Sequence, residues 1–91
     1  MALSHGMNIE AVEGVGRNLQ QKYSPNIEQL MREMESMVSS TSSTWIGPDA
    51  ERFRSWWPEK RSALQAIATD LHGFGQAALN NVNEQRNASG A

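Results

Sequence analysis

The chain has 91 residues, no cysteine and a formal net charge of −2 at pH 7. This length allows one small domain, and the lack of cysteine excludes disulfide bonds and cysteine-bound zinc as sources of its stability. Its basic residues are scattered and offset by acidic ones, which argues against nucleic acid as a partner. No apolar run approaches the roughly 18 residues of a membrane-spanning helix, so we expect no stable membrane insertion.

A first amphipathic helix is predicted over about residues 8–40. Asn8 is suited to cap it, and Glu10 and Glu13 follow where the helix dipole favours negative charge. Its apolar residues recur at steps of three and four, as on one face of a helix. They are Val12, Val15, Leu19, Tyr23, Ile27, Leu30, Met34 and Met37 or Val38.

Pro25 interrupts this first stretch. A proline inside a helix removes a hydrogen bond and costs about 3 kcal/mol, usually with a kink or a break. Because the apolar residues keep their phase across Pro25, we favour one bent helix over two. The alternative is a break, with Ser24 as the cap and Pro25 as the first residue of a new helix.

A turn is predicted over about residues 41–48. The hydroxyl-rich run from Ser39 to Thr44 competes for backbone hydrogen bonds and therefore disfavours a helix interior. Trp45 is expected to hold the turn onto the helices by packing. Gly47 is expected to supply backbone freedom before Pro48.

A second amphipathic helix is predicted over about residues 48–84. Its apolar residues are Ala50, Phe53, Trp57, Leu64, Ile67, Leu71, Phe74, Ala78 and Val82. The stripe skips a turn after Trp57, so we expect a kink near Pro58. Gly73 and Gly75 weaken the helix but allow a neighbouring helix to approach closely.

The polar residues after Val82 have little to bury and are expected to fray. The predicted fold is therefore a single all-α domain, an antiparallel helical hairpin. Two helices cover only one side of each other, so we expect the hairpin to dimerise into a four-helix bundle. The residues expected in the core or at the interface are Phe53, Trp56, Trp57, Leu64, Ile67, Leu71, Phe74, Leu19, Ile27, Leu30 and Met34. Trp56 cannot share a face with Trp57, which makes Trp56 the candidate interface aromatic.

No pattern in the sequence favours an enzyme. The hydroxyls of residues 39–44 have no base at a suitable spacing to activate a nucleophile. His5 and His72 are far apart in sequence, and one histidine does not make a metal site. We therefore expect no catalytic residues, no metal and no cofactor, and a function that depends on packing against another protein.

The segment Trp45-x-Gly47 between two helices, followed by Ala50, Phe53 and Trp57 at helical spacing, resembles the WXG family. These small proteins, similar to the early secreted antigenic target, are exported by type VII (ESX) secretion systems. The resemblance implies a hairpin that dimerises head to tail, as a homodimer or as a heterodimer with a related W-x-G protein. It also implies export from the cytoplasm by the type VII machinery, without a cleavable signal peptide, as an effector or as a chaperone for a co-secreted partner. Trp45 and Gly47 carry over as part of a bipartite export signal.

The second part of that signal in the family is a Tyr-x-x-x-Asp/Glu motif after the second helix. The single tyrosine of this chain is Tyr23, in the first helix. The nearest C-terminal candidate, residues 80–84, ends on Glu84 but begins with an asparagine. A sibling chain, or the partner of a fused substrate, would then supply this part of the signal. The alternative function is an intracellular structural or adaptor bundle with no role in secretion.

Overall fold

The computed structural model describes residues 7–88. Helix α1 spans Ile9–Asn18, a π-helical turn spans Leu19–Tyr23, α2 spans Ser24–Ser40 and α3 spans Pro48–Ala88. The first three follow one another without a gap, so we call residues 9–40 the first arm and α3 the second arm. Over residues 7–88 the chain is all-α, with two long helical arms joined by residues 41–47. His5 lies outside the described residues, as does the last part of the tail that was predicted to fray.

The two arms lie side by side along their length. Three facing pairs define their alignment: Gly16 with Gly75, Ser24 with Ala68, and Glu35 with Trp57. Residue numbers rise along one arm and fall along the other, and the numbers of each pair add to 91 or 92. The chain has a radius of gyration of 19.7 Å, whereas a globular chain of this length has one of about 12 Å. It is therefore a rod, with extents of 64 × 16 × 13 Å.

The first arm passes Pro25 without a break. Ser24 is helical, with φ −62° and ψ −49°, and its amide donates to the carbonyl of Leu19, five residues back rather than four. Pro25 has no amide hydrogen, and its ring crowds the carbonyl four residues earlier. The wider π-helical turn moves the carbonyls ahead of the proline away from the ring. The first arm is therefore one continuous helical stretch rather than two helices, and the alternative with Ser24 as a cap is wrong. The bend at Pro25 stays a prediction.

The first arm begins, and the second arm ends, at the same end of the rod. Asn8 caps the first arm as predicted, because its side-chain oxygen accepts from the amide of Ala11 at 3.1 Å. The second arm contains Pro58 within its helical span and continues to Ala88. The second arm therefore ends later than the predicted boundary near residue 84.

A buried side chain and an ion pair explain why the second arm continues. Val82 is 1% exposed, and Arg86 donates to the two carboxylate oxygens of Glu13 at 3.0 and 3.2 Å. These hydrogen bonds from Arg86 hold the pKa of the Glu13 carboxyl below its ordinary value, and the nearby charge of Arg17 acts in the same direction. The tail thus gains an anchor on the first arm that its polar composition did not indicate.

Loss of the Glu13 charge should release the end of the second arm. Since the pKa of Glu13 is lower in the folded chain than in the unfolded one, the pair stabilises the fold at neutral pH. That contribution disappears as the pH falls through the folded-state pKa. We expect Glu13→Gln at neutral pH, or acidification of the native chain, to lower the hydrogen-exchange protection of residues 83–88. Protection around Ala68 should not change.

Glu59→Gln is the matched control, because Glu59 forms no ion pair among the described residues. Equal loss of protection in both variants, or no loss in Glu13→Gln, would contradict the anchoring role of the pair.

Candidate protein–protein interface

Small residues form much of the seam between the arms, and the predicted apolar stripe of the first arm lies outside it. In the first arm the buried residues are Gly16, Ser24 and Met31. Each directly follows a member of the predicted stripe that is about half exposed, namely Val15 (54%), Tyr23 (46%) and Leu30 (46%). One residue turns an α-helix by about 100°. The predicted stripe of the first arm therefore lies beside the seam rather than within it.

The second arm shows this displacement only in part, because Ala50, Trp57 and Val82 of its predicted stripe are buried in the seam. Its buried residues are Ala50, Trp57, Ala68, Gly75 and Val82. Three large side chains each lie one position before a buried residue and remain exposed: Trp56 (45%), Ile67 (46%) and Phe74 (66%). Ile67 and Phe74 are therefore not core residues of the single chain, whereas Leu64 and Leu71 are half-buried. Within the single chain, the predicted core and interface residues therefore include both exposed side chains and half-buried or buried ones.

The exposed side chains of both arms lie on the same side of the rod. In each arm they come one position before the seam residues. Both helices are right-handed, but their residue numbers run in opposite directions. Viewed along the rod, the side chain one position before a seam residue is therefore rotated clockwise from the seam in one arm and counter-clockwise in the other. The two stripes therefore converge. We call this surface the apolar face; it contains Val15, Leu19, Tyr23, Ile27, Leu30, Met34 and Met37 from the first arm, and Phe53, Trp56, Ile67, Leu71 and Phe74 from the second.

The opposite side of the rod is polar. Positions one after the seam residues carry Arg17, Pro25 and Arg32 in the first arm, and Glu51, Pro58, Thr69, Gln76 and Asn83 in the second. A shallow groove of about 410 Å³ on this side is lined by Glu28, Arg32, Glu35, Arg61 and other polar residues around Met31. The rod as a whole is therefore amphipathic, with one side suited to solvent and the other to a partner.

Aromatic rings extend the apolar face to the turn. The ring centroids of Trp45 and Phe53 are 5.7 Å apart, and those of Phe53 and Trp56 are 5.8 Å apart. Trp45 is 41% exposed and Ile46 is 80% exposed. Trp45 thus packs against the start of the second arm, as the sequence predicts, and still presents part of its ring to solvent.

Arg54 ties the turn to the second arm. Its guanidinium donates to the backbone carbonyls of Thr41 at 2.7 Å and of Trp45 at 2.8 Å. It also lies 6.0 Å from the centre of the Trp45 ring, within the range of a cation–π contact. Sequence reasoning treated Arg54 as one of several scattered basic residues. The signal that could have found it is its place after Trp45, where carbonyls at the end of a helix attract a cation.

Gly47 is required by the backbone rather than by space. Its φ is +130°, and a Cβ added there would meet no atom within 4 Å. Side chains other than hydrogen rarely adopt this conformation. Its carbonyl accepts from the amide of Glu51 at 3.0 Å, so the residue also begins the hydrogen bonding of the second arm. The predicted role of Gly47 in backbone freedom is confirmed.

The two adjacent tryptophans have different surroundings. Trp57 is 2% exposed, and its indole Nε1 donates to Glu35 at 2.9 Å. Arg61 pairs with the same Glu35 oxygen at 3.2 Å, so the carboxylate links both arms. Trp56 has no such contact and lies on the apolar face, where a partner could cover it.

Within residues 7–88, no group of three acidic or histidine side chains could hold a metal ion. Nor does any helix in that range have the length and hydropathy to cross a membrane. No protein-family model, curated protein or solved structure matches the chain. The apolar face is accordingly assigned from the geometry of the chain itself.

Proposed function

We propose that this chain is an antiparallel helical hairpin that works by protein–protein interaction, pairing its apolar face with another helical hairpin to form a four-helix bundle. The observation that carries the proposal is the amphipathic rod: exposed apolar side chains from both arms converge on one side, and polar side chains occupy the other. Burial of such a surface is favourable by about 25 cal/mol per Å². In a single hairpin this surface stays exposed, so its burial contributes nothing to the stability of the fold.

We further propose that the hairpin is a substrate or a substrate chaperone of a type VII secretion system. The support is the resemblance of Trp45-x-Gly47 to the WXG family, together with the location of these residues. Both lie in the connection between two long helices, where the family places its motif. Trp45 is held there by Phe53 and Arg54, and Gly47 has the positive φ that favours glycine.

The family's C-terminal motif has no close counterpart here. Residues 80–84 lie inside α3 rather than after it, and Asn80 occupies the place of the tyrosine. The proposal therefore includes a partner chain that supplies this part of the export signal. Such a partner would act through the same four-helix bundle.

Two measurements test the proposal separately. Sedimentation equilibrium at micromolar concentration tests the bundle, with the chain by itself and with a W-x-G protein encoded by an adjacent gene. A stable, folded monomer in both cases would contradict the bundle. Export is tested by the extracellular level of the chain in a host with and without the type VII ATPase. We expect deletion of the ATPase to abolish export, and Trp45→Ala to reduce it strongly.

An extracellular level that does not depend on the ATPase would contradict the secretion role. If the bundle forms in that case, the chain is an intracellular structural or adaptor protein. The bundle and the export route are therefore tested by different measurements.

A further inference from the structure

We infer that Arg54 is a third residue of the proposed export motif, a positioning residue that holds Trp45 in the conformation that the secretion machinery recognises. The inference rests on the proposed function, in which Trp45 and Gly47 form part of an export signal. It adds a residue that the W-x-G pattern does not contain, and it states what that residue does.

The turn ahead of Trp45 is closed by hydrogen bonds onto one carbonyl. The carbonyl of Thr41 accepts from the amide of Thr44 at 3.2 Å and from the amide of Trp45 at 3.0 Å. The Thr41 hydroxyl in turn donates to the carbonyl of Met37 at 3.0 Å, in the last turn of the first arm. Residues 41–45 are therefore a compact turn attached to the first arm, and Trp45 lies at its end.

Arg54 binds both ends of this turn through one nitrogen. Its Nη2 atom donates to the carbonyl of Thr41 at 2.7 Å and to the carbonyl of Trp45 at 2.8 Å. Hydrogen bonds from a charged donor are roughly twice as strong as those between neutral groups. The guanidinium is planar and its donors are fixed in direction. It therefore sets the distance between the two carbonyls, and with it the direction in which the chain leaves Trp45.

The ring of Trp45 contacts the same guanidinium. Its centre lies 6.0 Å from the Arg54 guanidinium carbon and 5.7 Å from the centre of the Phe53 ring. A cation is attracted to the negative face of an indole ring. Arg54 thus contacts both the backbone and the ring of Trp45. Because 41% of Trp45 stays exposed, its exposed part has a defined orientation.

The residue after Trp45 lies between two anchored carbonyls. The carbonyl of Trp45 is bound by Arg54, and the carbonyl of Gly47 accepts from the amide of Glu51. The side chain of Ile46 between them is 80% exposed. A binding segment that is already ordered loses less conformational entropy when its partner binds. Fixing this turn would therefore strengthen its recognition.

The contacts of Arg54 with the turn explain its position. Among residues 7–88 it takes part in no ion pair, although four other arginines do. It is half-buried, and the nearby carboxylate of Asp49 pairs with Arg52 instead. The Thr41 carbonyl lies at the end of the first arm, where the helix dipole favours a cation. The charge of Arg54 is therefore committed to the turn.

The test measures export of the full chain in a host with an active type VII ATPase. Arg54→Gln removes the charge, and its side chain ends two bonds before the position of Nη2. We expect it to lower export about tenfold, since a lost hydrogen bond to a charged group shifts an equilibrium by about that factor. Arg54→Lys keeps a cation and its donors without the planar geometry, and should retain about a third of native export.

Arg52→Gln is the matched control. Arg52 lies two residues earlier in the same arm, is exposed, and pairs with Asp49 rather than with the turn. An exposed ion pair contributes little, so export should stay within about twofold of the native level. A loss as large as that of Arg54→Gln would show that export depends on positive charge near the turn, which would overturn the inference.

Two further measurements separate positioning from stability. Hydrogen exchange of the Trp45 amide reports on the turn, and Arg54→Gln should lower its protection about tenfold without changing that around Ala68. Gly73→Ala then supplies stability at a distant position, because its Cβ meets no atom within 4 Å and alanine favours the helix. Arg54→Gln with Gly73→Ala should regain stability to denaturant but not export. Restored export would give Arg54 a purely structural role and overturn the inference.

The inference and the proposed function fail on different results. Native export of Arg54→Gln, with export still lost in Trp45→Ala and without the ATPase, overturns the inference and leaves the proposed function standing. Export that does not depend on the ATPase overturns the secretion role and the inference together. Sedimentation equilibrium of the same variants should show native association. A loss of association that parallels the loss of export would assign Arg54 to the bundle and also overturn the inference.

Discussion

Gly75→Ala should destabilise the folded chain by about 2 kcal/mol, whereas Gly73→Ala, two residues earlier, should stabilise it by about 0.5–1 kcal/mol. A Cβ at Gly75 would lie 2.8 Å from the carbonyl oxygen of Gly16 and 2.6 Å from a side-chain carbon of Gln20. The backbone oxygen cannot move unless the arms separate. At Gly73 an added Cβ meets nothing within 4 Å, so the higher helix propensity of alanine acts alone.

The measurement is the free energy of unfolding by denaturant, with helix content followed by circular dichroism. Thermal midpoints should move in opposite directions, by several degrees for each kcal/mol in a chain of this size. Both substitutions add the same methyl group to the same helix, so differences in propensity cancel between them. Equal effects of the two would contradict the close approach of the arms at Gly16 and Gly75.

Glycine identity alone predicted part of this contact. The sequence indicated that Gly73 and Gly75 both allow a close neighbour; the structure shows one at Gly75 and none at Gly73. Gly16, on the other side of the contact, was not singled out. Its role depends on the alignment of the arms, and glycine in one segment carries no information about the residue that faces it from another.

The apolar spacing predicted two long helices, but it assigned the wrong face of the first arm to the seam and only part of the right face in the second arm. A period of three to four shows that side chains share a face, not which surface covers it. Gly16, Ser24 and Ala68 are small enough for the backbones to approach, and the Ser24 hydroxyl donates to the Ala68 carbonyl at 2.7 Å. The larger apolar residues are consequently displaced to one side. They stay at least partly exposed on the single chain.

The apolar spacing of the first arm contains an indication of the π-helical turn. The apolar steps from Val15 to Ile27 are three fours in succession, which is one residue more than alternating fours and threes require. An extra residue in one turn restores the phase, and the π-helical turn at Leu19–Tyr23 supplies it. Arg54 could not be assigned in the same way, because its acceptors are backbone carbonyls whose positions depend on the fold of the turn.

Phe74→Asp should raise the dissociation constant of the proposed four-helix bundle about a hundredfold, because a charge without a partner would be buried in an apolar contact. It should leave the helix content intact, since Phe74 is 66% exposed in the single chain. Ser62→Asp is the matched control: it adds the same charge to the same helix, on a residue that is exposed and away from the apolar face. Sedimentation equilibrium of both variants beside the native chain gives the comparison.

The same variant separates the stability of the hairpin from that of the bundle. If burial of the apolar face stabilises the native chain, its thermal midpoint should rise with protein concentration, because association favours the folded state. The midpoint of Phe74→Asp should not depend on concentration and should match that of the native chain at high dilution. Tight association of Phe74→Asp would show that the hairpins of the proposed bundle meet elsewhere. A variant that loses its helices would show that the hairpin does not fold without its partner.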